Sequence, residues 1–234
     1  MLRPLLLVLS IVIFSCPIAT VAQTPVDEDD VGAWYMYFFN TGFDNSQWGL
    51  QGDVQYRNWD MGGDLEQLLL RGGVTWASST GNAIFTLGYA NITSGEFGSS
   101  DATSYESRVY QEALLKQSLG SRLKIRHRFR YEQRWVEDQD FRTRFRYALF
   151  ADIPLNRTDL NQGAWYLAFY NEVFLNGERD IGNSRRVEVF DRNRTYGALG
   201  HSLTNRVKIQ AGYMHQSTNS VDKGQFQLSL HHSF

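Results

Sequence analysis

Apolar and polar side chains alternate along most of this chain, from Gly32 to its last residues. The alternation is clearest from Arg122 to Ile153, where arginines hold one parity and aromatic or aliphatic residues hold the other. Successive side chains of a β-strand point to opposite faces, whereas a helix would spread these arginines around its whole circumference. This segment therefore predicts two strands with one charged face and one apolar face.

The same two-residue rhythm predicts eleven strands in all. Bacterial single-chain barrels have an even number of strands with both termini in the periplasm. We therefore expect twelve strands, with one hidden near residues 24–46 or 176–202, and ten as the second choice. Besides the two strands of the arginine-rich hairpin, the predicted segments are Gly32–Asn40, Gln47–Trp59, Glu66–Ala77, Asn82–Ile92, Glu106–Leu119, Gly163–Leu175, Val189–Ser202, Arg206–Gln216 and Lys223–Phe234.

Alternation alone does not decide which face meets which solvent. In a soluble barrel or sandwich the apolar face would point inward, and in an outer-membrane barrel it would face lipid while charges line the lumen. Membrane strands need about 9–11 tilted residues, which these segments supply. Closing so many strands would also enclose more space than side chains of a soluble core fill. The pattern therefore favours an all-β fold, a single transmembrane antiparallel up-and-down β-barrel.

The first residues are typical of a secretory signal peptide. Arg3 supplies a positive start, residues 5–14 form a short apolar run, and small residues precede Gln23. We expect a signal peptide over 1–22, an acidic periplasmic tail over 23–31 and the barrel over 32–234. The only cysteine, Cys16, lies in the signal peptide, so no disulfide or thiolate site is expected. A lipoprotein cleavage before Cys16 is the alternative, which Phe14 and Pro17 disfavour.

Composition restricts the possible functions further. The formal net charge is −2, which gives nucleic-acid binding no bulk electrostatic support, and aromatic residues make up 14% of the chain. The sequence contains no H-x-x-x-H metal spacing, glycine-rich phosphate loop or nucleophile elbow. We therefore predict no metal, no cofactor and no catalytic residue.

The inward parity of the predicted barrel carries most of the chemistry. Arginine and lysine side chains of this parity would be costly to bury without partners, so they must meet water or carboxylates. Glu112, Glu132 and Glu172 are the candidate carboxylates. Cations outnumber these partners, which predicts a small channel or binding barrel for an anionic solute. The alternative is a structural barrel with a self-neutralised polar plug. The predicted lumen cations are Arg122, Lys124, Arg126, Arg128, Arg130, Arg134, Arg142, Arg144, Arg146, Arg192 and Arg194.

A second alternative is an outer-membrane lipid hydrolase, because His215 has outward parity and lies close in sequence to Ser217 and Asp222. A nucleophile needs a positioned base and an orienting acid, and the closeness of these common loop residues is weak support.

The last strand resembles the C-terminal signal that the outer-membrane assembly machinery recognises. Its alternate apolar positions predict that machinery and outer-membrane lipid as partners, and the outer membrane of a Gram-negative bacterium as the location. The residues of this assembly signal are Phe226, Leu228, Leu230, His232 and Phe234.

Four short segments occur in a characteristic order: RHRFRYEQR at Arg126–Arg134, RTRFRY at Arg142–Tyr147, NEVF at Asn171–Phe174 and DRNRTY at Asp191–Tyr196. Together they resemble the DUF2490 family of Gram-negative outer-membrane proteins. The resemblance spans most of the predicted barrel through the order and spacing of these segments. It implies a β-barrel and no established activity.

Overall fold

The computed structural model describes residues 30–234. The predicted signal peptide and nearly all of the acidic tail lie outside these residues. No helix that could cross a membrane is present in residues 30–234. The strands are β1 Gly32–Gly42, β2 Trp48–Asn58, β3 Leu65–Ala77, β4 Ala83–Gly95, β5 Thr103–Leu119, β6 Leu123–Val136, β7 Arg142–Pro154, β8 Trp165–Asn176, β9 Phe190–Ser202, β10 Val207–Ser217 and β11 Asp222–Ser233.

These eleven strands form a closed barrel in chain order. Neighbours along the chain pair antiparallel, and β1 and β11 close the barrel as a parallel pair, with Tyr35 opposite Leu228. The expectation of twelve strands, or ten, is therefore wrong. An even number follows only when every neighbouring pair is antiparallel, and one parallel pair permits an odd number. Odd strand numbers also occur in mitochondrial barrels.

The parallel closure places the two ends of the barrel wall at opposite rims. We call the rim at Gly32 the upper rim, where the connections 59–64, 96–102, 137–141, 177–189 and 218–221 lie. The lower rim lies at Ser233 and carries the connections 43–47, 78–82, 120–122, 155–164 and 203–206.

The segment 177–189 is a connection and not a hidden strand. It bends back on itself through an isolated bridge between Asp180 and Arg186. The Asp140 backbone N–H donates to the Ile181 carbonyl at 3.0 Å, so the connection packs against the β6–β7 turn. It therefore covers part of the upper rim.

The two faces of the barrel wall differ sharply. Apolar side chains of the outer parity are exposed, as for Leu87 at 61% and Phe145 at 53%, whereas charged side chains of the inner parity are buried, as for Glu132 at 1% and Arg144 at 4%. In a soluble protein most charged side chains are exposed and apolar side chains fill the core, so the arrangement in this barrel is reversed. Large exposed apolar surfaces of this kind mark contact with another protein or with a membrane.

Candidate functional site in the barrel lumen

The arginine-rich hairpin becomes β6 and β7, and its charged parity faces the lumen. The register sets Arg130 opposite Arg146, Arg134 opposite Arg142 and Glu132 opposite Arg144. Like charges directly across a ladder repel each other, so the hairpin depends on carboxylates from elsewhere in the barrel. The interior also receives Arg126 and Arg128 from β6, and Arg192 and Arg194 from β9, while Lys124 ends near the lower rim and donates to the Ser121 carbonyl.

Arg122 is not part of the lumen wall. Gly120 has a positive φ of 61° and forms the turn that ends β5, and β6 begins only at Leu123. Arg122 is therefore exposed in this turn, where its Nη1 lies 3.4 Å from the Leu155 carbonyl. The alternation of the sequence continued through the turn and placed Arg122 wrongly in the strand.

Glu132 is the centre of the lumen charge network. Arg144 Nη2 and Arg146 Nη1 contact its carboxylate at 2.7 and 2.6 Å. Arg108 Nη1 and Arg130 Nη1 each lie 3.8 Å away. One buried carboxylate thus faces four guanidinium groups, and each of these four also contacts a second carboxylate.

The other predicted carboxylates also contact hairpin arginines. Glu172 Oε1 lies 2.7 Å from both Arg128 Nη2 and Arg146 Nη2. Glu112 pairs with Arg130, whose Nε donates to it at 2.7 Å. Most hairpin arginines are therefore partly neutralised by carboxylates.

Sequence reasoning missed two carboxylates of the network. Glu106 forms two-point contacts with Arg108 and Arg134, at 2.6 and 2.5 Å for the shortest atom pairs. Asp191 contacts Arg144 at 2.8 Å. The inward parity of Glu106 could have revealed it, but Asp191 could not have been found in this way. The β8–β9 register shifts between Phe174 and Leu175, and this bulge turns consecutive residues toward the lumen.

Phe174 is an inward aromatic residue within this charged region. It is 1% exposed, and the guanidinium carbons of Arg146 and Arg194 lie 4.4 and 4.9 Å from its ring centroid. Arg144 and Arg192 lie at 5.2 and 5.9 Å. The face of an aromatic ring attracts cations, so Phe174 stabilises these guanidinium groups in addition to the carboxylates.

A cavity of about 300 Å³ lies in the lumen. On β6, β7 and β9 its lining residues are nearer to the lower rim than Glu132, Arg144 and Asp191 are. The cavity and the Glu132 network are therefore neighbouring parts of the interior that share Arg130 and Arg146. Seven arginines and four carboxylates line the cavity: Arg57, Arg71, Arg126, Arg128, Arg130, Arg146, Arg194, Asp53, Glu112, Asp152 and Glu172.

Two of these seven arginines differ from the other five. Five of them contact a carboxylate. Arg71 pairs with Asp53 at 3.0 Å and Arg126 with Asp152 at 2.8 Å. Arg128, Arg130 and Arg146 contact Glu112 or Glu172. Arg57 and Arg194 have no carboxylate within 4.0 Å among residues 30–234, although they are only 5% and 6% exposed. Their local partners are glutamines and aromatic rings.

The serine, histidine and acid of the hydrolase alternative do not form a catalytic arrangement here. Ser217 pairs across the ladder with Asp222, and His215 pairs with Gly224 on the outer face. Within residues 30–234, no hydrogen bond joins His215 to Ser217 or Asp222. No group of three or more metal-ligating side chains is present in the described chain either.

A family model described as a protein of unknown function, DUF2490, matches residues 31–227 of this closed barrel. The chain belongs to the DUF2490 family. An uncharacterised protein of Methylorubrum extorquens is 28% identical to this DUF2490 barrel over 163 residues, which cover 68% of this chain and 67% of the relative. No solved structure matches this DUF2490 chain significantly.

Proposed function

We propose that this DUF2490 protein spans the outer membrane of a Gram-negative bacterium and admits small anionic solutes to a basic lumen. The exposed apolar outer face supports the membrane part of the proposal, because a bilayer provides the solvent that such a face needs. Strands of 11–17 residues are long enough for a tilted crossing.

The excess of arginines over carboxylates in the cavity lining carries the anion part of the proposal. Seven guanidinium groups face four carboxylates, so the cavity wall has net positive charge. In an enclosed space between low-dielectric walls, such charge concentrates anions and repels cations. The 300 Å³ volume is at the lower end of ordinary small-molecule pockets, which favours a small solute over a large one.

The Glu132 network supports a second candidate, a structural barrel whose polar interior neutralises itself. Four arginines around one buried carboxylate tie β5, β6 and β7 together. A structural role explains the Glu132 network. It does not explain the cavity, or why Arg57 and Arg194 have no carboxylate within 4.0 Å in the described residues, so this candidate ranks second.

Reversal-potential measurements in planar bilayers test the proposal. We expect the protein to conduct with anion preference, which Arg126→Gln lowers and Asp152→Asn raises. These two residues form one ion pair at the cavity wall, and the two changes move its charge in opposite directions. A stably inserted protein that does not conduct would contradict passage of anions through the lumen, and one that prefers cations in all three forms would contradict the anion part of the proposal.

A further inference from the structure

Arg57 and Arg194 meet at one aromatic ring in the cavity wall. The Arg57 Cζ lies 3.7 Å from the Trp34 ring centroid, and the Arg194 Cζ lies 4.8 Å from it. Trp34 is 2% exposed, and its Nε1 donates to Glu66 at 2.7 Å, which fixes the plane of the indole. Closure of the barrel brings these residues together, since Trp34 is on β1, Arg57 on β2 and Arg194 on β9.

Both guanidinium groups are held in place by neutral partners. Arg57 donates to Gln55 Oε1 at 2.6 Å and to Gln67 Oε1 at 2.8 Å. The Nε of Arg194 donates to Gln216 Oε1 at 2.8 Å. Glutamine oxygens orient a guanidinium but do not neutralise it, so both positive charges remain available to an anion. A buried cation without a countercharge is costly, and a bound anion would remove much of that cost.

Next to these two cations the cavity wall is aromatic. The rings of Tyr170 and Tyr196 stack with centroids 4.8 Å apart, and Phe150 lies 5.6 Å from Tyr170. The Tyr196 hydroxyl is buried and has no hydrogen-bond partner among residues 30–234. This wall therefore offers flat apolar surface together with one polar group that a ligand could satisfy.

We infer that the cavity between Trp34, Arg57, Arg194 and the Tyr170–Tyr196 pair is a binding site for a single-ring aromatic carboxylate. A carboxylate has the planar, two-oxygen geometry that guanidinium groups bind best, and an aromatic ring matches the flat wall beside them. The volume of about 300 Å³ equals that of about ten water molecules in the liquid, which suits one ring with its carboxylate. This site rests on the proposed function, because it names the class of anion that the lumen takes.

The site lies outside the arginine-rich hairpin. The hairpin arginines of the cavity already contact Asp152, Glu112 or Glu172, so an incoming anion would compete with those carboxylates. Within the described residues Arg57 and Arg194 have no carboxylate closer than 4.0 Å, because Glu66 and Glu172, which act on them electrostatically, lie farther away. The cations available to the carboxylate thus come from β2 and β9 and not from the hairpin.

Calorimetric titration of the folded, detergent-purified protein with sodium benzoate tests this site. We expect benzoate to bind, while benzamide, which lacks the charge, and acetate, which lacks the ring, bind at least about tenfold more weakly. Absence of benzoate binding, or equal binding of benzamide or acetate, overturns the proposal. This comparison uses the unaltered protein and does not depend on any variant folding.

Substitutions locate the bound anion. Arg57→Gln and Arg194→Gln are each expected to weaken benzoate binding at least about tenfold, because each removes a charged hydrogen-bond donor. Arg142→Gln is the matched control: Arg142 is also buried and has no carboxylate within 4.0 Å in the described chain, but it does not line the cavity. Its benzoate affinity should stay within about twofold of the unaltered protein. Affinity that is unchanged in both test variants, or lowered equally in the control, contradicts the site.

The titration tests the benzoate site and the bilayer measurement tests the proposed function, so one proposal can be contradicted without the other. Anion preference without benzoate binding leaves the proposed function standing and removes this site. Benzoate binding that depends on Arg57 and Arg194, without any conductance, keeps the site and shows that the barrel binds the anion without passing it through.

Discussion

Arg146 donates to Glu132 at 2.6 Å, and the same arginine contacts Glu172 on the opposite neighbouring strand at 2.7 Å. One guanidinium on β7 thereby links carboxylates of β6 and β8. Such two-sided contacts connect consecutive strands through their inward side chains as well as through backbone ladders.

Removal of the Glu132 charge should destabilise the barrel strongly. Glu132→Gln leaves four arginines around a neutral side chain, and loss of one member of a buried ion pair costs about 3–5 kcal/mol. Urea unfolding in detergent micelles, followed by tryptophan fluorescence, measures the change. Glu188→Gln is the control, because its ion pair with Arg179 is exposed and should contribute at most about 1 kcal/mol. Equal effects of the two changes would contradict a central role for Glu132.

Charge changes at Arg144 and Arg128 should have different consequences. Arg144 belongs to the Glu132 network and does not line the cavity, whereas Arg128 does. We expect Arg144→Glu to lower stability because it sets a third carboxylate beside Glu132 and Asp191, with the ion preference of the remaining folded protein unchanged. Arg128→Gln should lower anion preference. Reversal potentials measured on both variants distinguish these effects, and a shift in preference for Arg144→Glu alone would place the selective region at the network.

A charge on the outer face should oppose membrane insertion. Leu70 is 46% exposed and lies near the middle of β3. Leu70→Arg is expected to cost about 2–4 kcal/mol in a bilayer, which reversible unfolding from lipid vesicles can measure. Met61→Arg, in the exposed upper-rim connection 59–64, should cost about 1 kcal/mol or less. A Leu70→Arg protein that is as stable in vesicles as the control would argue against a lipid-facing position.

The parallel closure can be tested by a disulfide across it. Tyr35 and Leu228 are paired in the β1–β11 register and both point outward. In a protein with Cys16→Ser, the pair Tyr35→Cys and Leu228→Cys should form a disulfide under mild oxidation, since paired strands bring Cα atoms within bonding range. The pair Tyr35→Cys and Leu199→Cys should not, because β11 and β10 lie between β1 and β9. Mass spectrometry of the oxidised proteins measures disulfide formation, and absence of the bond between positions 35 and 228 would contradict the parallel closure.

The sequence predicts the strands and their two faces well, because alternation is a local property. Even the noisy strand β5 was expected at Glu106–Leu119 and is found at Thr103–Leu119. The β9 register was not predictable, because the bulge at Asp191 breaks the two-residue rhythm there.

Contacts that depend on closure lie beyond the reach of local patterns. Nothing in the sequence indicates that Arg194 meets Trp34, which is 160 positions away and reaches it only across the completed barrel. Arg57 has inward parity in the sequence pattern, but that pattern does not indicate that it meets Trp34 and Arg194. The eleven segments of the sequence pattern match the eleven strands, whereas the even strand number of bacterial barrels does not hold for a barrel with one parallel pair.

The parallel pairing of β1 and β11 also determines which end of the barrel wall an antibody can reach. A chain that crosses a membrane an odd number of times has its first and last strands ending on opposite sides of that membrane. If the barrel spans the outer membrane as proposed, an epitope beside Asp30 and another beside Ser233 would lie on opposite sides of that membrane, and antibody added to intact cells would reach only one of them.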